Sequence, residues 1–103
     1  MEKPDLLNLL KEKIQYAETT LQEVNNDLLH QWKQETLMIL DNLIESSSKY
    51  YQSFEKLHYK SGVYSFQDPE GNRERDEEAY KRDLQSAIST LKAIVFGVEK
   101  GLF

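Results

Sequence analysis

Apolar residues recur along the first third of the chain at Leu7, Leu10, Ile14, Ala17, Leu21, Val24 and Leu28, in steps alternating three and four. That spacing is a heptad seam and predicts an amphipathic helix with one face against a neighbour. Leu6 and Leu9 widen the stripe at its start. Pro4-Asp5 suits a first helical turn, where a missing N–H is tolerated and an acid meets the positive end of the helix dipole. The first helix is expected over about residues 4–24. Asn25-Asn26-Asp27 favours a break, because these side chains compete for backbone hydrogen bonds, and Asp27 is placed to cap a new helix.

A second helix is predicted over about residues 28–45, with Leu29, Trp32, Thr36, Ile39, Leu40 and Leu43 on one face and Leu37 and Ile44 beside it. So wide a stripe implies burial against more than one neighbour. One of Ser46, Ser47 and Ser48 should cap a short helix over about 48–57, whose Tyr50, Tyr51, Phe54 and Leu57 form a lid over one end of a bundle. From His58 to about Arg75 a loop is expected. In it Gly62 allows a positive φ, and Asp68-Pro69-Glu70-Gly71 has the layout of a type I turn. Tyr59, Val63, Tyr64 and Phe66 are apolar for a loop and should partly pack down, with residues 63–66 extended. The last helix is expected over about 76–100, on a face of Tyr80, Leu84, Ala87, Ile88, Leu91, Ile94, Val95, Val98 and Leu102. Gly97 lies within it, and Gly101-Leu102 reads as a Schellman stop that closes the domain. The fold class is all-α: one domain, a small bundle of three long helices and one short one with a partly packed loop.

Composition narrows the function classes. The 103 residues hold 18 acids against 13 Lys and Arg, a net charge of −5. That balance argues against duplex DNA as a partner, since such binding rests on cations meeting phosphates. With no cysteine there is no disulfide framework, thiolate zinc site or cysteine nucleophile. The longest apolar runs, such as Ala93 to Phe96, are far too short to span a membrane, and the charged N-terminus does not read as a signal peptide. A cytoplasmic location is the expectation.

The search for reactive groups returns little. His30 and His58 are the two histidines, and neither sits in a zinc-binding motif. Asp68, Glu70 and Asn72 begin like a calcium loop, but Arg73 stands where Gly is needed and Ala79 where Glu is needed. No histidine follows an arginine closely, as small helical ribonuclease toxins require. The serines read better as caps than as nucleophiles. The stretch from Asp68 to Asp83 holds seven acids and four bases, including a favourably spaced Glu78-Arg82 pair. It reads as a solvated helix start, or else as a charged partner surface. No catalytic residue, metal site or cofactor is expected.

Aromatic residues are the remaining candidates. Trp32, Tyr50, Tyr51, Tyr59, Tyr64, Phe66 and Tyr80 are expected to cluster where the loop covers the helices, as core packing, a partner-binding patch or a stacking pocket for a nucleotide. Arg73, Arg75 and Arg82 are the candidate phosphate contacts in the last case, although the local acids weaken it.

Several motifs together resemble the N-terminal helical module of bacterial phage-defence and abortive-infection proteins. Leu6-Leu7-Asn8-Leu9-Leu10 matches its leucine-rich first helix, and Trp32 matches the tryptophan that opens its second. Ile44-Glu45-Ser46-Ser47-Ser48-Lys49-Tyr50-Tyr51-Gln52-Ser53-Phe54 is similar to its Phe-Gly-Glu-x-Ser-x-Tyr-Tyr-x-x-Phe stretch, with Glu45 in place of Gly. Glu99-Lys100-Gly101-Leu102-Phe103 matches its closing Glu-x-Gly and apolar tail. The resemblance implies a non-enzymatic role in oligomerisation, sensing or restraint of an effector domain, with a protein partner or a second copy as ligand. The alternatives are a nucleotide-sensing domain and an acidic phage-encoded inhibitor that mimics nucleic acid.

Overall fold

Pro4 stands in the first turn of α1 (Lys3–Thr19), the one stretch of a helix where proline removes no hydrogen bond. The computed structural model describes residues 1–62 and 65–103. Among them the regular elements are four α-helices and no strand. The seam of α1 runs through Leu6, Leu10, Ile14 and Ala17 and continues to Leu21. Leu7 is only half-buried, and Val24 and Leu28 are exposed, so the buried stripe begins one residue earlier and ends sooner than the spacing predicts.

The helix also stops five residues before the expected end. Gln22 Nε2 donates to the Ala17 carbonyl at 2.9 Å, taking the acceptor that the Leu21 amide would use in a continuing helix. The Leu21 amide turns to Tyr16 O at 3.4 Å instead. Side chains that bond nearby backbone are the usual competitors of helix propagation.

The break continues through residue 25. Asn25, not Asp27, caps α2 (Asn26–Leu43), its Oδ1 accepting from the Leu28 amide at 3.0 Å. The buried face of α2 is Leu29, Trp32, Thr36, Ile39, Leu40 and Leu43. Ser48 caps α3 (Lys49–Glu55), which buries Tyr51 and Phe54.

The last helix, α4 (Pro69–Glu99), starts seven residues before the expected Asp76. Asp68-Pro69-Glu70-Gly71 is its first turn rather than a free-standing type I turn. The two begin with the same dihedrals, and Asp68 Oδ1 accepts from the Gly71 amide at 3.0 Å. A Cβ on Gly71 would overlap the Asp68 carboxylate, so this glycine serves the cap. Gly62 takes no positive φ; Tyr59 does, at 60°. Phe66 is fully exposed rather than packed, whereas Tyr59 is buried. Val63 and Tyr64, expected to be extended and partly packed, lie outside the described residues.

Polar contacts fix how the helices lie. Lys92 reaches Glu18 at 3.3 Å and Lys11 reaches Glu99 at 3.7 Å, so α1 and α4 run antiparallel. Trp32 Nε1 donates to Lys13 O at 2.9 Å, holding α2 against the other side of α1. Both ion pairs are about half exposed, which makes them register markers more than sources of stability. Stability comes from one core drawn from all four helices, in which Trp32, Tyr80, Phe54, Leu10, Leu21, Leu40, Leu91 and Ile94 are almost wholly enclosed. Side chains of this size gain roughly 1.5–3 kcal/mol each on burial. No helix among the described residues is long and apolar enough to cross a membrane.

At the far end of α4, Gly101 adopts φ 68°. The Leu102 amide donates to Gly97 O at 2.8 Å and the Gly101 amide to Val98 O at 3.2 Å, the two bonds of a Schellman motif. Phe103 then folds back over Gly97, where a Cβ would collide with its ring. Glycine at position 97 therefore makes room for the chain's own aromatic residue.

Candidate functional site

The aromatic residues singled out in the sequence do not form one patch. Trp32 lies in the core, its ring edge-on to Phe54 with centroids 5.7 Å apart. Tyr51 donates to Asp41 Oδ1 at 2.6 Å, and that bond, with lesser help from burial and the charges of Asp41 and Glu55, pushes its pKa up to about 12. Tyr50 is half-buried, with Phe103 edge-on at 5.7 Å and the Lys49 ammonium 5.2 Å from its ring. These two tyrosines stand where α2 ends and α3 begins.

Tyr80 and Tyr59 stand toward the opposite end. The Tyr80 hydroxyl donates to Leu21 O at 2.8 Å and lies 3.3 Å from Glu23 O, tying α4 to the α1–α2 connection. Burial raises its pKa. Arg73 is exposed beside this region, and Arg82 is exposed and paired through Nε with Asp83 Oδ1 at 3.1 Å. Tyr64 lies outside the described residues.

Tyr59 is the unusual residue of the set. Its left-handed backbone is costly for a non-glycine residue, on the order of 1–3 kcal/mol. The position is held because the Tyr59 amide donates to Asp83 Oδ2 at 2.9 Å, which satisfies a buried carboxylate. The residue is 4% exposed, and its buried hydroxyl has no hydrogen-bond partner among the described residues. Burial, then the charge of Asp83, drives its pKa well above that of an ordinary phenol.

Lys33 braces the same segment. Its Nζ donates to Glu55 O at 2.9 Å and Leu57 O at 2.8 Å, closing the C-terminal end of α3. The ammonium lies 5.7 Å from the Tyr59 ring centroid. Partial burial lowers its pKa, and the Glu55 charge opposes that shift.

Two clefts adjoin Tyr59 and share Asn26, Tyr59 and Lys60. One, of about 390 Å³, is lined by Asn26, Leu29, His30, Lys33, Leu57, His58, Tyr59 and Lys60. The other, of about 490 Å³, runs past Arg73, Asp76, Glu77 and Tyr80. The first gathers both histidines of the chain and two lysines with no acid in its lining. Only part of that grouping carries a sequence signal. His30 and Lys33 share a helix face by their spacing, but their meeting with His58 and Lys60 depends on how the 56–62 segment turns at Tyr59.

The other end of the bundle carries exposed apolar side chains beside a cleft of mixed lining. A cleft of about 440 Å³ lies between Asp41, Asn42, Leu43, Ile44, Glu45 and Ser48 on one side and Phe103 on the other. Met38, Phe96, Leu102 and Phe103 are exposed large apolar side chains on the last turns of α2 and α4 and just beyond. Leu102, placed by its spacing on the buried face, is 70% exposed because the chain has already turned away at Gly101. Met1, at the start of the antiparallel α1, is exposed at this end too.

Among the described residues no group of three or more His, Asp or Glu side chains is placed to hold a metal ion. The buried polar groups Asp83, Tyr80 and Trp32 bond to backbone, an arrangement suited to holding helices together. Comparison of the chain with protein-family models, with curated proteins and with solved structures gives no match.

Proposed function

We propose that the chain is a non-enzymatic protein-interaction or oligomerisation module linked to bacterial anti-phage defence. It acts in the cytoplasm on a protein partner, an effector domain or a second copy of itself, and not on duplex DNA. Its scaffold is a single bundle of three long helices and one short helix with a partly packed loop. The observation that carries this reading is the end of the bundle where Met38, Phe96, Leu102 and Phe103, on the last turns of α2 and α4 and just beyond, remain exposed. Large apolar side chains left exposed at one end of a helical body are the kind of surface that a protein partner covers. The negative net charge and the use of buried polar groups as helix ties support binding over catalysis. The link to defence is supported by the leucine-rich first helix, Trp32, the Tyr50-Tyr51 pair and the Glu99-x-Gly101 ending.

The test is phage plating on the host bacterium after deletion of the gene, with complementation. Plating is expected to rise on deletion and to fall again with the parent chain. A Met38→Asp, Phe96→Asp double variant, folded by circular dichroism, is expected not to restore protection. Unchanged plating on deletion, or full protection by the double variant, overturns the reading.

A further inference from the structure

We propose that the cleft between the first turns of α2 and residues 57–60 is a binding site for a phosphate-bearing small ligand. This goes beyond the interaction surface and does not depend on it: the two lie at opposite ends of the bundle.

The chain carries a net charge of −5, but the lining of a cleft is set locally. This one holds His30, Lys33, His58 and Lys60, and no acid. Its volume, about 390 Å³, is within the range of small-ligand sites. The four side chains come from two separate segments, so tertiary structure and not a charge run brings them together. Lys33 has three N–H donors, of which two are held by Glu55 O and Leu57 O. Those bonds fix the ammonium in place and leave the third donor for a ligand. Partial burial leaves this cation short of solvent, which an anion would relieve.

The segment opposite is held at energetic cost. Tyr59, which lines the cleft, keeps a left-handed backbone, and its buried hydroxyl has no partner among the described residues. Strain of this kind persists where the surroundings over-determine a conformation, and it clusters at ligand sites. Here it places His58 and Lys60 on either side of Tyr59 in the same cleft as His30. Two lysine ammonium groups and the imidazoles of His30 and His58 around one small volume suit the three acceptor oxygens of a phosphate better than a single carboxylate. The acid whose charge acts on Lys33 is Glu55, which is outside the lining.

The probes are sodium pyrophosphate, adenosine monophosphate and adenosine. Each is titrated into the full chain at fixed pH and ionic strength and followed by amide ¹H–¹⁵N spectra. Pyrophosphate is expected to give saturable shifts at residues 29–33 and 58–60. A His58→Gln, Lys60→Gln double variant, altered only at exposed positions, is expected to weaken binding about tenfold or more. Lys92→Gln, a cation elsewhere on the surface, is expected to leave it unchanged. Tighter binding of adenosine monophosphate than of pyrophosphate assigns a nucleotide as the source of the phosphate; equal binding assigns the phosphate group alone. No saturation at ~10 mM pyrophosphate, shifts spread over all lysines, undiminished binding by the double variant, or adenosine binding as well as its monophosphate overturns the proposal.

Discussion

Tyr59 combines a strained backbone, a bonded amide and an unsatisfied hydroxyl in one buried residue. The amide bond to Asp83 explains why the residue is held, but the hydroxyl only adds desolvation cost. Tyr59→Phe removes that cost and should leave stability unchanged or raise it by about 1 kcal/mol in urea unfolding. A clear loss would mean that the hydroxyl has a partner. The same burial predicts an alkaline limit. Tyr51, Tyr59 and Tyr80 keep their protons to higher pH when folded than when unfolded, where phenols titrate near 10. The folded state thus binds more protons, and stability falls as pH rises from about 10 through the folded values, about 12 for Tyr51. Urea midpoints measured from pH 9 to pH 11.5 should drop, and Tyr59→Phe should make the drop shallower. A slope equal to that of the parent would contradict the assignment. None of this was visible in the sequence, where Tyr59 is one aromatic residue in a loop and Gly62 the natural candidate for positive φ.

Helix ends divide by the kind of signal that sets them. Ser48 and Gly101 act through their own short-range chemistry, a cap and a left-handed stop, and both were legible from the chain alone. The faces of α2 and α4 were legible too, because burial follows the 3.6-residue period through Trp32, Leu40, Leu84 and Leu91. The end of α1 was not, since a seam in register runs past the point where Gln22 takes the Ala17 carbonyl. The start of α4 was hidden because Asp-Pro-x-Gly signals a turn and a helix start equally well. The Schellman stop gives the prediction at this scale. Gly101→Ala forces a Cβ into a left-handed conformation and should cost about 1 kcal/mol. It should also loosen Phe103 from Gly97, read as faster amide exchange at residues 97–103. Unchanged stability and exchange would show that the stop does not anchor the aromatic residue.

Across the whole molecule the chain extends 52 × 26 × 18 Å, and its two uncommitted surfaces lie at opposite ends. The aromatic set looked like one site in the sequence, yet it divides between them, with Trp32 and Tyr80 built into the core between. The cationic cleft was hidden because its members are about 25 residues apart in the chain and meet only through Tyr59 and Lys33. What joins the two ends is a body whose buried polar groups tie helices together, and the proposed function is assigned to its surfaces. Light scattering on the particle purified from its host tests that assignment most directly. The parent chain should run heavier than a single chain, as an oligomer or with a bound partner, and the Met38→Asp, Phe96→Asp variant should run as one folded chain. A parent that runs as a single chain with nothing bound, or a variant that stays assembled, would contradict it.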